Sequence, residues 1–334
     1  MQVCVVGAGA IGALVSGYLS KAGVEVTLVG RDRDIAAIGA GGLVIGGVRG
    51  EMTVPVRVKN EPEKGAGLVV LAVKTQDMAV TLSENAGALK ESQVLTVQNG
   101  VRAGELLTEF VPPERMVSSI VMFGATYLEP GRVTHNFEGD WIIGRPDGSR
   151  DRGITEIGDT LGKAFNVHVT ESIRGMKWLK LFLNMNNCLP ALVGKSMQET
   201  FASLSMCRIA MRLWREALEV TGRAGIEPAS LPDFPVARLR KLAGMPLDEA
   251  SKIYGGIMTG LSKEPLYGSI LQSIKRGCPS EIDYLNGEIV RLGDEVGEPA
   301  GLNKRVVEMV HEVEKNGEFL SMERVQDRLG GNDD

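Results

Sequence analysis

Cysteine is scarce in this chain and poorly spaced for a metal. Cys4, Cys188, Cys207 and Cys278 lie far apart with no paired spacing, which points to buried free thiols in a reducing compartment rather than a zinc site or a disulfide framework. An excess of positive charge is also missing. With 37 Lys+Arg against 42 Asp+Glu the formal net charge is −5, which argues against a nucleic-acid surface as the main function. No apolar run approaches the length that crosses a bilayer. The first residues are apolar but carry no basic segment, and glycines interrupt them where a signal peptide would be continuous. A cytoplasmic protein with no nucleic-acid or membrane partner is therefore expected. Internal repeats and low-complexity segments are lacking too, and only the terminal GGNDD reads as disordered.

What is present is ordinary in bulk and specific in detail. The chain has 334 residues, 43% hydrophobic and 24% charged, enough for two domains with real cores. It opens MQVCVVGAGAIGALVSGYLSKAGVEVTLVGR. Val3, Val5 and Val6 belong to an uncharged run of the kind found in a strand buried on both faces. Gly7, Gly9 and Gly12 follow in G-x-G-x-x-G spacing. The first glycine allows a tight turn, the second lets the backbone approach a pyrophosphate, and the third lets a helix pack close to the strand. The helix N-terminus adds unpaired N–H groups and a positive dipole end. Strand, turn, helix and second strand (Val24 to Val29) form the context that makes this spacing informative. Gly7, Gly9, Ala10, Ile11 and Gly12 are therefore candidate cofactor residues.

NAD-binding proteins place an acid about 20 residues beyond the glycines to hold the ribose hydroxyls. Here the second strand ends in Gly30-Arg31-Asp32-Arg33. A guanidinium at Arg31 matches a 2′-phosphate, which favours NADP, while Asp32 leaves NAD open. Residues 40–58 look like a glycine-rich β-hairpin. Leu68 to Val73 and Val94 to Gln98 read as further buried strands, followed by Lys74 and by Asn99-Gly100. Both Lys74 and Asn99 then lie beyond carboxyl ends of strands, where open parallel sheets bind ligands. Val117 to Met122 continues the sheet. Residues 131–144 alternate like an antiparallel hairpin, and His135 within it reads as structural. After Val167 to Val169 the pattern turns helical. The expected architecture is α/β, a Rossmann-like dinucleotide-binding domain at 1–172 followed by an all-α domain at 173–334.

The segment RGMKWLKLFLNMNNCLPAL (174–192) is apolar nearly all round, which implies burial. Lys180 and Asn184 break that pattern four residues apart, so they share one helix face, and Cys188 would extend the stripe by a turn. A buried lysine is costly, and burial lowers its pKa toward the range of a proton donor. Lys177, one turn earlier, competes for the role. In SEIDYLNGEIVRLGDEV (280–296) the apolar stripe is Ile282, Leu285, Ile289, Leu292 and Val296. Glu281 is expected in the first turn of that helix, where an acid is favoured by the dipole. Ser269 by itself reads as a helix cap or surface serine.

Together these residues resemble the ketopantoate reductases (2-dehydropantoate 2-reductases). The resemblance covers nearly the whole chain. It rests on GAGAIG, Arg31, AVKTQ at 72–76, QNGV at 98–101, Lys180 with Asn184, and SILQSIKRGCPSEIDYLNG at 269–287, the most specific piece. The resemblance implies a Rossmann domain followed by a helical domain, with NADPH reducing a 2-keto acid to a 2-hydroxy acid. It implies that Lys180 is the catalytic acid and that Glu281 completes the catalytic pair. Asn99, Asn184 and Ser269 would hold a small-molecule 2-keto acid, and Arg31, Lys74 and Asn99 the cofactor. Where the family has a second asparagine one turn after Asn184, followed by proline, this chain has Cys188 and a displaced Pro190. Related readings are a reductase of similar architecture acting on another branched 2-keto acid or a 3-hydroxy acid, and a non-catalytic NADP sensor. A homodimer is compatible with all of them.

Overall fold

The computed structural model describes residues 1–330. The expected disorder of GGNDD falls mostly on residues 331–334, outside that range. The chain packs as two compact units, Met1–Lys177 and from Trp178 onward.

The first unit runs β1 (Val3–Val6), α1 (Ala10–Lys21), β2 (Val26–Val29), α2 (Asp32–Gly41), β3 (Leu43–Gly47), β4 (Met52–Val54) and β5 (Arg57–Lys59). It continues with β6 (Leu68–Leu71), α3 (Met78–Leu89), β7 (Gln93–Thr96), α4 (Ala103–Thr108) and β8 (Met116–Val121). β9 (Gly124–Glu129), β10 (Arg132–Phe137), β11 (Trp141–Gly144), α5 (Arg152–Gly162) and β12 (Val167–Val169) complete its strands. The main sheet has eight strands in the order β12-β11-β8-β7-β6-β1-β2-β5. All neighbours are parallel except β8 and β11. β1 is an interior strand, flanked by β2 and β6, and is the point from which the chain winds outward on both sides. Its residues alternate between two cores: Val3 and Val5 join one apolar cluster, Cys4 and Val6 the other. That is why the run is uniformly apolar rather than alternating.

A second sheet of four strands has the order β4-β3-β10-β9, and it corrects two sequence expectations. β3 and β4 do form an antiparallel hairpin, but β5 leaves it to pair in parallel with β2. Residues 131–144 do not form one hairpin. β10 pairs with β9 and β3, whereas β11 joins the main sheet beside β8. Alternation identifies a strand without naming its partner. The crossing between sheets uses Gly139, where a Cβ would lie 2.4 Å from the Met122 carbonyl oxygen. His135 is fully buried on β10, with Nδ1 3.0 Å from the Tyr18 hydroxyl, and burial holds its pKa below the usual histidine value. It is structural, as expected.

α6 (Ile173–Met185) contains the residues at which the two units divide, and the described elements after it are helical. α7 (Cys188–Val193), α8 (Met197–Phe201), α9 (Leu204–Arg223), α10 (Val236–Gly244), α11 (Leu247–Thr259) and α12 (Ser269–Lys275) follow. α13 (Asn286–Val296), α14 (Gly301–Asn316) and α15 (Met322–Leu329) close the chain. α9 is the axis of this unit. Its Trp214 is buried, stacks edge-on to Tyr254 with centroids 5.2 Å apart, and donates its indole N–H to the Phe182 carbonyl at 2.7 Å. No described helix is long and apolar enough to cross a membrane. Of the cysteines, Cys4, Cys188 and Cys207 are buried, while Cys278 is exposed, against the expectation that all four thiols are buried.

The helix expected over 174–192 breaks in the structure. α6 ends at Met185 and α7 begins at Cys188. Pro190 explains the break, because its ring in a continuous helix would clash with the carbonyl of Asn186 and it has no N–H to offer that carbonyl. Instead Leu189 donates to Asn186 at 3.2 Å. Cys188 therefore does not extend the Lys180 stripe. It is fully buried, and its thiol faces the Asn286 side chain.

Candidate active site

The glycine turn has three distinct roles in the structure. Gly7 adopts φ 113°, a backbone conformation that favours glycine, and a Cβ there would meet the Ala72 and Val73 backbone at 2.8 Å. A Cβ on Gly12 would lie 1.9 Å from the Gly7 carbonyl oxygen. Gly9 is different: a Cβ there meets no protein atom within 4 Å. Space over Gly9 is thus open on the ligand side, while Gly7 and Gly12 close the strand–helix joint. The first intrahelical bond of α1 runs from the Ala13 N–H to the Gly9 carbonyl at 2.8 Å. The N–H groups of Ala10, Ile11 and Gly12 are left at the positive end of α1, without partners inside the helix. These features fit a dinucleotide pyrophosphate.

Arg31 is exposed and forms the N-cap of α2, immediately beyond β2. Its backbone N–H donates to the buried Asp34 carboxylate at 3.0 Å, and Asp34 also accepts from the Tyr127 hydroxyl at 2.8 Å. Asp34 and Tyr127 were not expected in this region. An acid three residues into a helix is the recognisable signal for the first, whereas Tyr127 arrives from 93 residues away. Lys74 caps a short turn beyond β6, and Asn99 lies beyond β7 just before Gly100 at φ 78°. Gln98 links these two strand ends. Its side-chain amide donates to the carbonyls of Leu71 at 2.8 Å and Val73 at 2.7 Å. It positions the segment carrying Lys74 from the residue next to Asn99.

In the helical unit, Lys180 and Asn184 lie one turn apart on α6. Burial alone pushes the Lys180 ammonium down to about 8, and does the same to Lys177. The pKa therefore does not separate the two lysines; the turn-spaced partner Asn184 does. Ser269 is exposed at the first position of α12, and the preceding Gly268 packs tightly on Asn187, with a Cβ there lying 3.1 Å from the Asn187 Cβ. This brings Ser269 beside the joint that follows Asn184.

Glu281 is not in the first turn of the following helix. It precedes a 3-10 turn, Ile282–Tyr284, and α13 starts only at Asn286. The acid in the first turn of α13 is Glu288. The delayed start follows from Asn286, which is fully buried and donates to the Asn303 side chain at 2.9 Å. Asn303 donates in turn to Glu216 at 2.7 Å, and Glu216 accepts the N–H groups of Leu302 and Asn303 at the start of α14. The segment before Glu281 is held separately, with the Ser280 N–H donating to Glu314 at 2.8 Å. His311 lies between Glu314 and Asp283 at 3.1 and 3.0 Å, so this histidine also clamps the turn.

The described residues thus supply a cradle for a dinucleotide, an exposed guanidinium beside it, and, in the helical unit, a desolvated amine with amide, hydroxyl and carboxylate groups. Two family models match the chain in order: Ketopantoate reductase PanE/ApbA over residues 3–148 and Ketopantoate reductase PanE/ApbA C terminal over residues 172–314. The 2-dehydropantoate 2-reductase of Pyrococcus abyssi (strain GE5 / Orsay) is 31% identical over 309 residues, covering 91% of this chain and 94% of the relative. Among solved structures, the PanE/ApbA family ketopantoate reductase from Ralstonia eutropha JMP134 matches with a TM-score of 0.80 at 28% identity, covering 94% of this chain and 99% of that one. A D-mandelate dehydrogenase solved with NADH and anilino(oxo)acetate shares the fold, with a TM-score of 0.82 at 23% identity over 94% of this chain and 99% of that one. Matched along nearly its whole length in both sequence and fold, the chain belongs to the ketopantoate reductases, a family of NADP-dependent oxidoreductases.

Proposed function

We propose that the chain reduces 2-dehydropantoate (ketopantoate) to pantoate, with NADPH as the preferred donor. The observation that carries this reading is the Lys180–Asn184 pair on α6, with Lys180 desolvated to a pKa of about 8. Residues 1–172 hold the cofactor and residues 173–334 supply the groups that act on the substrate. Held by the glycine turn and Arg31, a bound nicotinamide cofactor would supply the hydride for the keto carbon. Negative charge then grows on the keto oxygen, and the Lys180 ammonium stabilises it and delivers the proton. Asn99 and Asn184 donate uncharged hydrogen bonds that orient the substrate, and Ser269 bonds its carboxylate. Glu281 accepts a bond from a substrate hydroxyl or from the lysine.

The test is NADPH and NADH oxidation across a panel of 2-keto acids, including ketopantoate, smaller branched acids and an aryl acid of the mandelate type. Ketopantoate is expected to give the highest kcat/KM. Tight NADPH binding with no turnover on any member would favour a sensor instead. Cofactor preference has its own variant. Arg31→Ala removes the guanidinium facing a 2′-phosphate, so the KM for NADPH should rise roughly 10- to 100-fold while that for NADH stays nearly constant. Equal effects on both cofactors would remove Arg31 from this role.

A further inference from the structure

The groups assigned above leave the substrate's own charge without a cationic counterpart. A 2-keto acid carries a carboxylate beside its keto carbon. In the proposed set Lys180 serves the keto oxygen, the asparagines and Ser269 are neutral, and Glu281 is negative. Arg31 and Lys74 are assigned to the cofactor. A carboxylate leaving water for a desolvated site needs a cationic or densely hydrogen-bonded partner.

One unassigned cation fits. Lys177 is 6% exposed, and its Nζ has no hydrogen-bond partner among the described residues. An unpaired buried ammonium is a costly feature for a fold to keep unless an anion joins it. Its place on α6 is specific. Lys177, Lys180 and Asn184 occupy positions i, i+3 and i+7 of one continuous helix, within about 60° of arc at 3.6 residues per turn. Cβ atoms three residues apart on a helix are separated by about 5–6 Å, which suits two ammonium groups serving adjacent carboxylate and keto oxygens.

We propose that Lys177 is the cationic partner of the carboxylate in this site, pairing with the C1 carboxylate of the 2-keto acid in addition to the neutral Ser269 hydroxyl, while Lys180 serves the keto oxygen at C2. This inference rests on the 2-keto acid reading given above. Burial depresses the two amines alike. Both ammoniums are therefore predominantly protonated below about pH 8, and an arriving carboxylate stabilises the charge on Lys177. The division of labour makes carboxylate recognition separable from proton delivery.

Lys177→Met keeps the length of the side chain and removes its charge. With this variant the KM for the best 2-keto acid should rise roughly 10- to 100-fold, the loss expected for one charge-assisted hydrogen bond. Its kcat should fall far less than that of Lys180→Ala. The KM for the methyl ester of the same acid, which has no carboxylate, should stay within about threefold. Calorimetry on the NADP-loaded protein should show oxamate binding weakened by a similar factor. The apo variant should melt at or above the wild-type temperature, since a buried unpaired charge has been removed. If Lys177→Met does not fold, Lys177→Arg replaces it and should retain acid-over-ester discrimination. An unchanged acid KM with unchanged oxamate binding overturns the proposal, as does an equal loss on acid and ester. A loss of kcat matching that of Lys180→Ala overturns it too, by making Lys177 the proton donor. Wild-type protein that reduces no 2-keto acid yet binds oxamate through Lys177 refutes the reductase reading and leaves the anion site standing.

Discussion

Lys180→Ala should lower kcat for 2-keto acid reduction by roughly 10²- to 10⁴-fold, the range for loss of a positioned proton donor, with NADPH affinity nearly unchanged. The size follows from two functions lost together. In the proposed role the ammonium stabilises charge that appears only as hydride arrives, so its removal would act on the transition state more than on the bound substrate. In that role it also supplies the proton that completes the alcohol. In the unaltered protein, burial places the Lys180 pKa at about 8. The working form is protonated, so activity should hold below about pH 8 and fall as pH rises through that value. In Lys180→Ala the residual rate should lose this alkaline limb. A variant with wild-type turnover, or with the same alkaline limb at full amplitude, would sink the assignment.

The second large effect separates two glycines of one motif. Gly12→Ala places a methyl group 1.9 Å from the Gly7 carbonyl oxygen, a backbone clash that neither neighbour can relieve by rotating a side chain. It should cost about 3 kcal/mol or more, visible as a lower melting temperature of the apo protein. Gly9→Ala meets nothing within 4 Å, so the apo protein should melt like wild type. The methyl group nevertheless stands where a pyrophosphate approaches the backbone, and NADPH affinity should drop roughly 10- to 100-fold. Thermal unfolding without cofactor and a fluorescence titration with NADPH measure the two halves. Equal melting temperatures for Gly12→Ala and wild type would show that the strand–helix joint is not as close as described.

The part of this molecule legible from sequence is the part governed by local rules. The run before Gly7, the glycine spacing and the switch to helical periodicity after residue 172 each depend on neighbours along the chain, and β1, α1, β2 and α6 form there. The Lys180–Asn184 pair was legible because helix geometry alone sets it on one face. Strand partners were not. Nothing in residues 131–144 tells β10 to pair with β3 and β11 with β8, since both choices satisfy the same alternation. Gln98 belongs to the QNGV motif, yet its bonds to Leu71 and Val73 span the sheet and only the assembled fold reveals them. The break before Cys188 had a visible cause in Pro190, but the uniformly apolar run around it masked the signal. Glu281 lies outside the helix its sequence pattern suggests, because α13 starts where a buried asparagine finds a partner 17 residues away.

That asparagine changes what the SEIDYLNG segment (280–287) means as a marker. Cys188, Asn286, Asn303 and Glu216 join α7, α13, α14 and α9 through buried polar contacts. Asn286 therefore reports that a chain has this helical architecture, whereas Lys180 reports, in its proposed role, that it can deliver a proton. A descendant of this protein released from its reaction but still required to fold would be expected to keep the asparagine and shed the lysine. Sorting relatives by the two positions independently would distinguish inherited shape from inherited chemistry.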